Sequence, residues 1–360
     1  MKRIAFFLPD LSPGGAEKTG VLLASALARR NLPVDFVLVN ARGEFLQLLH
    51  PSIRIIDLKA RSSYTCLPDL VKYLRQEKPD ALISGLDLTN LIALFAKIMS
   101  GSSVKIFLQL QNAQSRLSRV AWKKFIERLL IQLFYPGANR LIAVSKGVEE
   151  DFYRYSKIES GKVITIHNMI ITDSLFELAR VPLEHPFFSA NCPPVILAVG
   201  RFSEQKNYPL LIETFKLVLT QKDARLSILG QGEGKNQIEM LAQSLGIMDK
   251  ISFPGHDTNP YRWMASADVF VMSSNYEGLP TVMVEAMACG CPVVSTDCPF
   301  GPDEITHHGD YGYLTPLNDA PALANAILKV LNGQTKRPPQ AWLAQFAEES
   351  IVEEYLRLLM

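Results

Sequence analysis

The run VFVMSSNYEGLPTVMVEAMACGCPVVS (residues 269–295) holds the reading on which the fold turns. Val269, Phe270, Val271 and Met272 form a short β-rich run, Pro280 suits the first turn of a helix reaching Cys289, and residues 292–295 are again strand-like. Strand, helix, strand in this order is a βαβ unit with parallel strands. Working outward, the alternation extends upstream through strand-like runs at 195–199, 226–229 and 251–253, with helices at 207–220 and 235–245, and downstream into a helix at 319–332. The N-terminal half repeats it, with strands at 4–8, 34–39, 81–84, 104–108 and 141–144 and amphipathic stretches at 16–30, 67–76 and 119–134. Between the halves a Pro-bearing, weakly periodic segment, 168–193, reads as a linker. The expectation is an α/β protein of two doubly wound domains facing a cleft, each binding at the carboxyl ends of its strands.

Length and composition agree. At 360 residues the chain exceeds the roughly 250–300 at which a single core stops growing. With 48% hydrophobic and 20% charged residues it has a globular composition. No apolar run approaches the ~18 residues of a membrane span, and the start, Met1 to Asp10, reads as a first strand rather than a signal segment. Five scattered cysteines, an odd number, fit reduced thiols in the cytoplasm; Cys289-Gly290-Cys291 lacks zinc spacing, so no metal site is expected. The net charge of +1 hides an asymmetry, since residues 1–170 hold 24 Lys and Arg against 14 Asp and Glu, and the remainder holds 13 against 22. Residues 101–147 are the densest basic stretch, where Glu127 is the lone acid, and such a patch draws an anionic partner.

Four segments of the second half fall at its expected strand ends. Gly200 and Arg201, followed by Lys206 at a helix entry, offer a diphosphate fixed charge plus helix N–H groups, or else are ordinary loop cations. Gly230-Gln231-Gly232-Glu233-Gly234 mimics a dinucleotide fingerprint with the wrong spacing, and reads instead as a glycine turn that admits a ligand closely. Gly255-His256 ends another strand, and His256 is either a base-pocket residue or an exposed loop histidine. Last come Glu277-Gly278-Leu279-Pro280-Thr281-Val282 and Glu285, an anion-binding helix start flanked by two carboxylates able to grip two sets of vicinal hydroxyls. Glu285 can equally be salt-bridged on an exposed helix face.

The Glu-x7-Glu spacing from Glu277 to Glu285, with Gly278-Leu279-Pro280 and Cys289-Gly290-Cys291-Pro292, resembles the family 4 retaining glycosyltransferases of GT-B fold. Gly14-Gly15-Ala16-Glu17, residues 143–148, Gly200-Arg201 with Lys206-Asn207, and residues 267–278 are also similar to that family. The resemblance implies two Rossmann-like domains, an acceptor-binding one at 1–167 and a nucleotide-sugar-binding one at 194–338, with a C-terminal helix in 339–360 crossing back to the first. It implies that Arg201 and Lys206 neutralise the donor diphosphate, that Glu285 holds ribose hydroxyls and Glu277 sugar hydroxyls, and that N–H groups at 279–282 receive phosphate oxygens. Gly200, Gly232, Gly255, His256, Gly278, Leu279, Pro280, Thr281 and Val282 then line the donor, and Gly14, Gly15, Glu17, Gln111 and Asn112 the acceptor. Neither glutamate need be a nucleophile, because the leaving diphosphate is stabilised electrostatically.

No Asp-x-Asp occurs, in keeping with the metal-independent chemistry the resemblance implies. The co-substrate would be a nucleoside-diphosphate sugar, UDP ahead of GDP or ADP because residues 297–305 look like a variant in UDP-sugar transferases; no other cofactor and no nucleic acid is expected. One departure stands out: relatives place a His-Asn pair where this chain has Gln111-Asn112, and glutamine cannot take a proton. The basic stretch 116–128, where Arg116, Arg119, Lys123 and Lys124 lie among Leu117, Val120, Trp122, Phe125, Leu129 and Leu130, reads either as a domain-surface helix whose apolar face is core or as a helix lying on an anionic bilayer. The resemblance favours the bilayer and a peripheral place on the cytoplasmic face of the inner membrane, with a glycan or lipid-linked glycan as acceptor. The alternatives to transfer are a catalytically silent sugar-nucleotide or glycan-binding subunit and a sugar-nucleotide epimerase of the same fold.

Overall fold

A computed structural model describes residues 2–113, 121–158 and 161–359. The chain divides into two compact units, Met1–Ile170 with Phe346–Met360, and Ile171–Gln345.

The first unit is a seven-stranded parallel sheet, β1 (Ile4–Leu8), β2 (Val34–Leu38), β3 (Arg54–Asp57), β4 (Ala81–Ser84), β5 (Lys105–Leu110), β6 (Arg140–Ala143) and β7 (Val163–Thr165), in the order β3-β2-β1-β4-β5-β6-β7. Its central strands are buried along their whole length, as parallel strands covered by helices on both faces must be. Helices α1 (Gly15–Arg29), α2 (Leu67–Glu77), α3 (Asp87–Ser100), α4 (Ala121–Phe134) and α5 (Lys146–Ser156) make the crossovers. The strand order reverses between β1 and β4, so loops after these two strands diverge and open a crevice at the sheet's carboxyl edge.

The second unit repeats the plan with β8 (Val195–Val199), β9 (Arg225–Leu229), β10 (Ile251–Gly255), β11 (Val269–Met272), β12 (Val293–Thr296) and β13 (Tyr313–Thr315), ordered β10-β9-β8-β11-β12-β13 with its reversal between β8 and β11. Its helices are α6 (Asp173–Ala179), α7 (Tyr208–Leu219), α8 (Lys235–Ser244), α9 (Tyr261–Ser266), α10 (Thr281–Ala288), α11 (Pro302–Ile305), α12 (Ala320–Leu331) and α13 (Gln340–Leu343).

Two expectations about the joints are corrected. Residues 168–193 are not a separate linker: Met169 and Ile170 are core residues of the first unit, while α6 buries Leu175 and packs on α9 in the second. The C-terminal crossing does not begin at 339 either. Residues 339–345 stay with the second unit, where the Trp342 indole N–H donates to the Ile305 carbonyl (3.0 Å) and its ring meets His307 and Tyr311. From Phe346 the chain belongs to the first unit, and α14 (Glu348–Leu359) lies along α1, joined by Arg29 and Glu348 at 2.7 Å. Ile351, Val352, Tyr355 and Leu359 sit in the same apolar cluster as Phe6, Leu27 and Phe36.

Candidate donor and acceptor sites

In the second unit, the loops after β8 and β11 flank the reversal point, and the chemistry gathers there. The residue after β8 is Gly200, and the turn leading into α7 ends in a 3-10 helix, Glu204–Lys206, that directs Lys206 across to the β11 loop. There Lys206 Nζ stands 2.7 Å from Glu277 Oε1, with both side chains largely buried. Ser274 Oγ donates to the same Oε1 at 2.7 Å and Gln205 Nε2 to Oε2 at 3.2 Å, so the carboxylate is held on both oxygens. Burying a charge is tolerable only with such pairing. The loops are also tied by backbone contacts: Ser273 Oγ donates to the Lys206 carbonyl (2.8 Å) and the Asn275 N–H to that of Gln205 (2.8 Å). Burial, with Glu277 adding, pushes the Tyr208 phenol and the Cys298 thiol well above their ordinary values, so both border the pair as neutral groups.

Glu285 lies inside α10 with only 2% of its surface exposed, which corrects the reading of a solvent-facing salt bridge. Gly278, Leu279 and Pro280 are buried ahead of this helix, and Thr281 and Val282 open it. At Gly301 the backbone takes φ +94°, and an added Cβ would run into Pro280 Cδ and the Gly278 carbonyl oxygen, so this glycine lets the loop after β12 brace the start of α10. In the glycine turn after β9, a Cβ at Gly232 would sit 2.7 Å from the Phe202 carbonyl oxygen, so glycine there lets this turn pack closely against the chain's own β8 loop. Arg201 is exposed on that loop, and His256 is exposed beyond β10, two strands away from β8. Among the described residues no cluster of three or more His, Cys, Asp or Glu is placed to hold a metal ion.

The acceptor candidates share the carboxyl edge of the first unit's sheet. Gly14 is the N-cap of α1, in extended conformation, with the Glu17 carboxylate folded against it; Gly15 is exposed. Gln111 and Asn112 follow β5, Asn112 exposed. Gln111 stands inside a chain of hydrogen bonds: Tyr355 of α14 receives the Gln109 amide N–H (2.7 Å), Gln109 Oε1 accepts from Gln111 (3.3 Å), and Gln111 Oε1 accepts from Asn168 (3.2 Å). Gln205, Ser273, Ser274, Tyr208, Gln109 and Asn168 were not named as site residues from the sequence. For Ser273-Ser274 a signal existed, polar residues at the carboxyl end of an otherwise apolar strand.

The sequence matches the model of the family described as Glycosyltransferase Family 4 over residues 13–174, and that of Glycosyl transferases group 1 over residues 185–344. The chain belongs to the family 4 glycosyltransferases. This glycosyltransferase is 29% identical to the lipopolysaccharide core biosynthesis glycosyltransferase LpsE of Rhizobium meliloti, with 96% of each chain covered. It is 26% identical to the N-acetylgalactosamine-N,N'-diacetylbacillosaminyl-diphospho-undecaprenol 4-alpha-N-acetylgalactosaminyltransferase of Campylobacter jejuni, over 94% of this chain and 92% of that one. Among solved structures, HepE of Anabaena in complex with UDP and glucose superimposes with a TM-score of 0.82 at 20% identity, covering 100% of this chain and 99% of that one. The fold is therefore GT-B, two Rossmann-like units, and neither the silent subunit nor the epimerase is favoured.

Proposed function

We propose that this glycosyltransferase moves a hexosyl or N-acetylhexosaminyl group, with retention and without a metal ion, from a nucleoside-diphosphate sugar to a hydroxyl of a glycan or lipid-linked glycan. The observation that carries the reading is the Lys206–Glu277 pair at the β8/β11 reversal point, with Glu285 buried in the helix that follows. Arg201 and Lys206 bring positive charge to a diphosphate, the first N–H groups of α10 add a helix N-terminus, and Glu285 and Glu277 accept from hydroxyls of ribose and sugar. As the sugar–phosphate bond breaks, negative charge grows on the leaving diphosphate. Fixed donors and cations stabilise that charge without reorganising, so no carboxylate nucleophile is required. UDP is the carrier we favour, in line with the UDP held by HepE.

A thermal-shift panel of UDP, GDP, ADP and their common sugars tests the donor site. A nucleotide at 100 times its dissociation constant should add about 2.7 kcal/mol of stability. We expect UDP to do so and Glu285→Ala to lose most of the gain; a folded protein that no nucleotide stabilises at millimolar concentration defeats the reading.

The acceptor side points to a membrane surface. LpsE is named for lipopolysaccharide core biosynthesis, and the Campylobacter enzyme for a diphospho-undecaprenol-linked glycan. In this chain α4 leaves Trp122, Phe125, Ile126, Leu129 and Leu133 between 43% and 69% exposed, on one face at helical spacing, beside Lys123, Lys124 and Arg128. Residues 116–120 of the basic stretch, Arg116 and Arg119 among them, lie outside the described residues. No helix of the described residues is long and apolar enough to cross a membrane. Peripheral contact through α4 on the cytoplasmic face of the inner membrane predicts flotation with vesicles of phosphatidylglycerol and not of phosphatidylcholine alone, lost in Lys123→Glu/Lys124→Glu and in Phe125→Ser/Leu129→Ser. Flotation indifferent to anionic lipid and to both variants would remove the proposal.

A further inference from the structure

The carboxylate assigned to the ribose is held from a neighbouring helix. Tyr261, the first residue of α9, directs its hydroxyl to Glu285 Oε1 at 3.4 Å, and both side chains are buried. The next two residues of α9 turn the other way: Arg262 Nη2 and Trp263 Nε1 both donate to Asp257 Oδ2, at 2.7 and 2.8 Å, while the Asn259 N–H donates to Asp257 Oδ1 at 2.8 Å. Burial alone would raise the Asp257 carboxyl, but the Arg262 and Trp263 donors and the Asn259 N–H outweigh it and hold it below the usual carboxylate range. Asp257 adjoins His256 in the loop after β10. One short helix therefore grips both Glu285 and the loop that carries His256.

That helix is itself fixed from behind. Asn259 Nδ2 donates to the Leu178 carbonyl of α6 at 2.9 Å, and the Trp263 ring packs against His185 and Phe188 with centroids 5.1 and 5.3 Å apart. A hydroxyl presented from so constrained an element can fix the plane of a carboxylate. Fixing matters because two vicinal hydroxyls are received together only by a carboxylate whose orientation is already set.

We propose that Tyr261 is a positioning residue for nucleotide recognition, orienting the Glu285 carboxylate toward the ribose diol of the donor. The proposal rests on the reading of Glu285 as the ribose-holding group, and the experiment separates the two. The probes are UDP, GDP and ADP and their 2′,3′-dideoxy forms, titrated calorimetrically into the wild type, Tyr261→Phe and Glu285→Ala. Tyr261→Phe keeps the buried ring and removes only the hydroxyl, and its melting temperature is followed alongside. Expected is a wild-type preference for the ribonucleotide, abolished in Glu285→Ala, with Tyr261→Phe weakening the ribonucleotide about five- to tenfold, the range of one lost hydrogen bond, while the dideoxy form binds as before. A purely structural tyrosine would move both forms equally. That outcome, or no change in either form while Glu285→Ala still erases the preference, overturns the role of Tyr261 alone. A preference that survives Glu285→Ala, or no binding of any of these nucleotides, overturns the reading of Glu285 and this inference with it.

Discussion

Lys206→Ala is expected to cost about 2–4 kcal/mol of folding stability and to slow donor turnover by about two to three orders of magnitude. The stability loss follows from what the substitution leaves behind. Glu277 is 7% exposed and keeps Ser274 and Gln205 as donors but loses the Lys206 ammonium that stood 2.7 Å from it. Removing one member of a buried pair typically costs about 3–5 kcal/mol because the survivor is stranded, and the remaining two donors keep the loss toward the lower end. On the role proposed for Lys206, the kinetic loss has a separate origin, the missing charge at the leaving diphosphate. The two are told apart with Lys206→Met/Glu277→Gln, neutral residues of similar size. This double variant should regain most of the stability, measured by urea unfolding, and none of the rate, measured as UDP released from a UDP-sugar. If the single variant unfolds at the wild-type urea concentration, the pair does not hold the site together; if the double variant recovers the rate, Lys206 is not the cation that acts on the diphosphate.

A chain ending at Gln345 is expected to lose the first unit. Phe346, Ile351, Val352, Tyr355 and Leu359 are all buried. A fully buried side chain of this size contributes about 1.5–3 kcal/mol through burial. Together they rival the ~5–15 kcal/mol by which a typical protein is stable at all. Limited proteolysis should show the first unit digested and the second resistant. A chain ending at Pro339 should weaken the second unit as well, because Trp342 and its hydrogen bond to Ile305 go with it. Unchanged resistance of the first unit in both truncations would show that α14 is an accessory to its core.

Much of the fold was legible because a doubly wound unit writes itself into hydrophobic periodicity. β1, β2, β4 and β8 were found within a residue or so of their limits, since strands buried on both faces read as nearly continuous apolar runs, Asp35 in β2 being the interruption. β3 was missed for the same reason inverted: three of its four residues are exposed, and Arg54 lies along it to reach Asp35 and Glu77, so it carries no apolar run. α9 and β13, six and three residues long, are too short to show a period. α14 was expected as a C-terminal helix crossing back, but its starting point was not legible, because Trp342 and Phe346, four positions apart and both apolar, serve different units.

The candidate donor residues were legible as chemistry and not as partners. Spacing put Glu277 and Glu285 before and within one helix, and the loop composition named Lys206. Nothing local says that Lys206 and Glu277, 71 positions apart, close into a pair, or that Gln109 meets a tyrosine 246 positions away. Sequence by itself determined the βαβ alternation, the two-unit plan and the residue types offered at the strand ends, because each depends on neighbours within a turn or a strand. Tertiary structure alone decided which strand ends lie side by side at the β8/β11 reversal, that Glu285 is buried, that Tyr261 reaches it, and that the apolar face of α4 is left uncovered. Periodicity announces that a helix has an apolar face, but what covers that face depends on elements far along the chain.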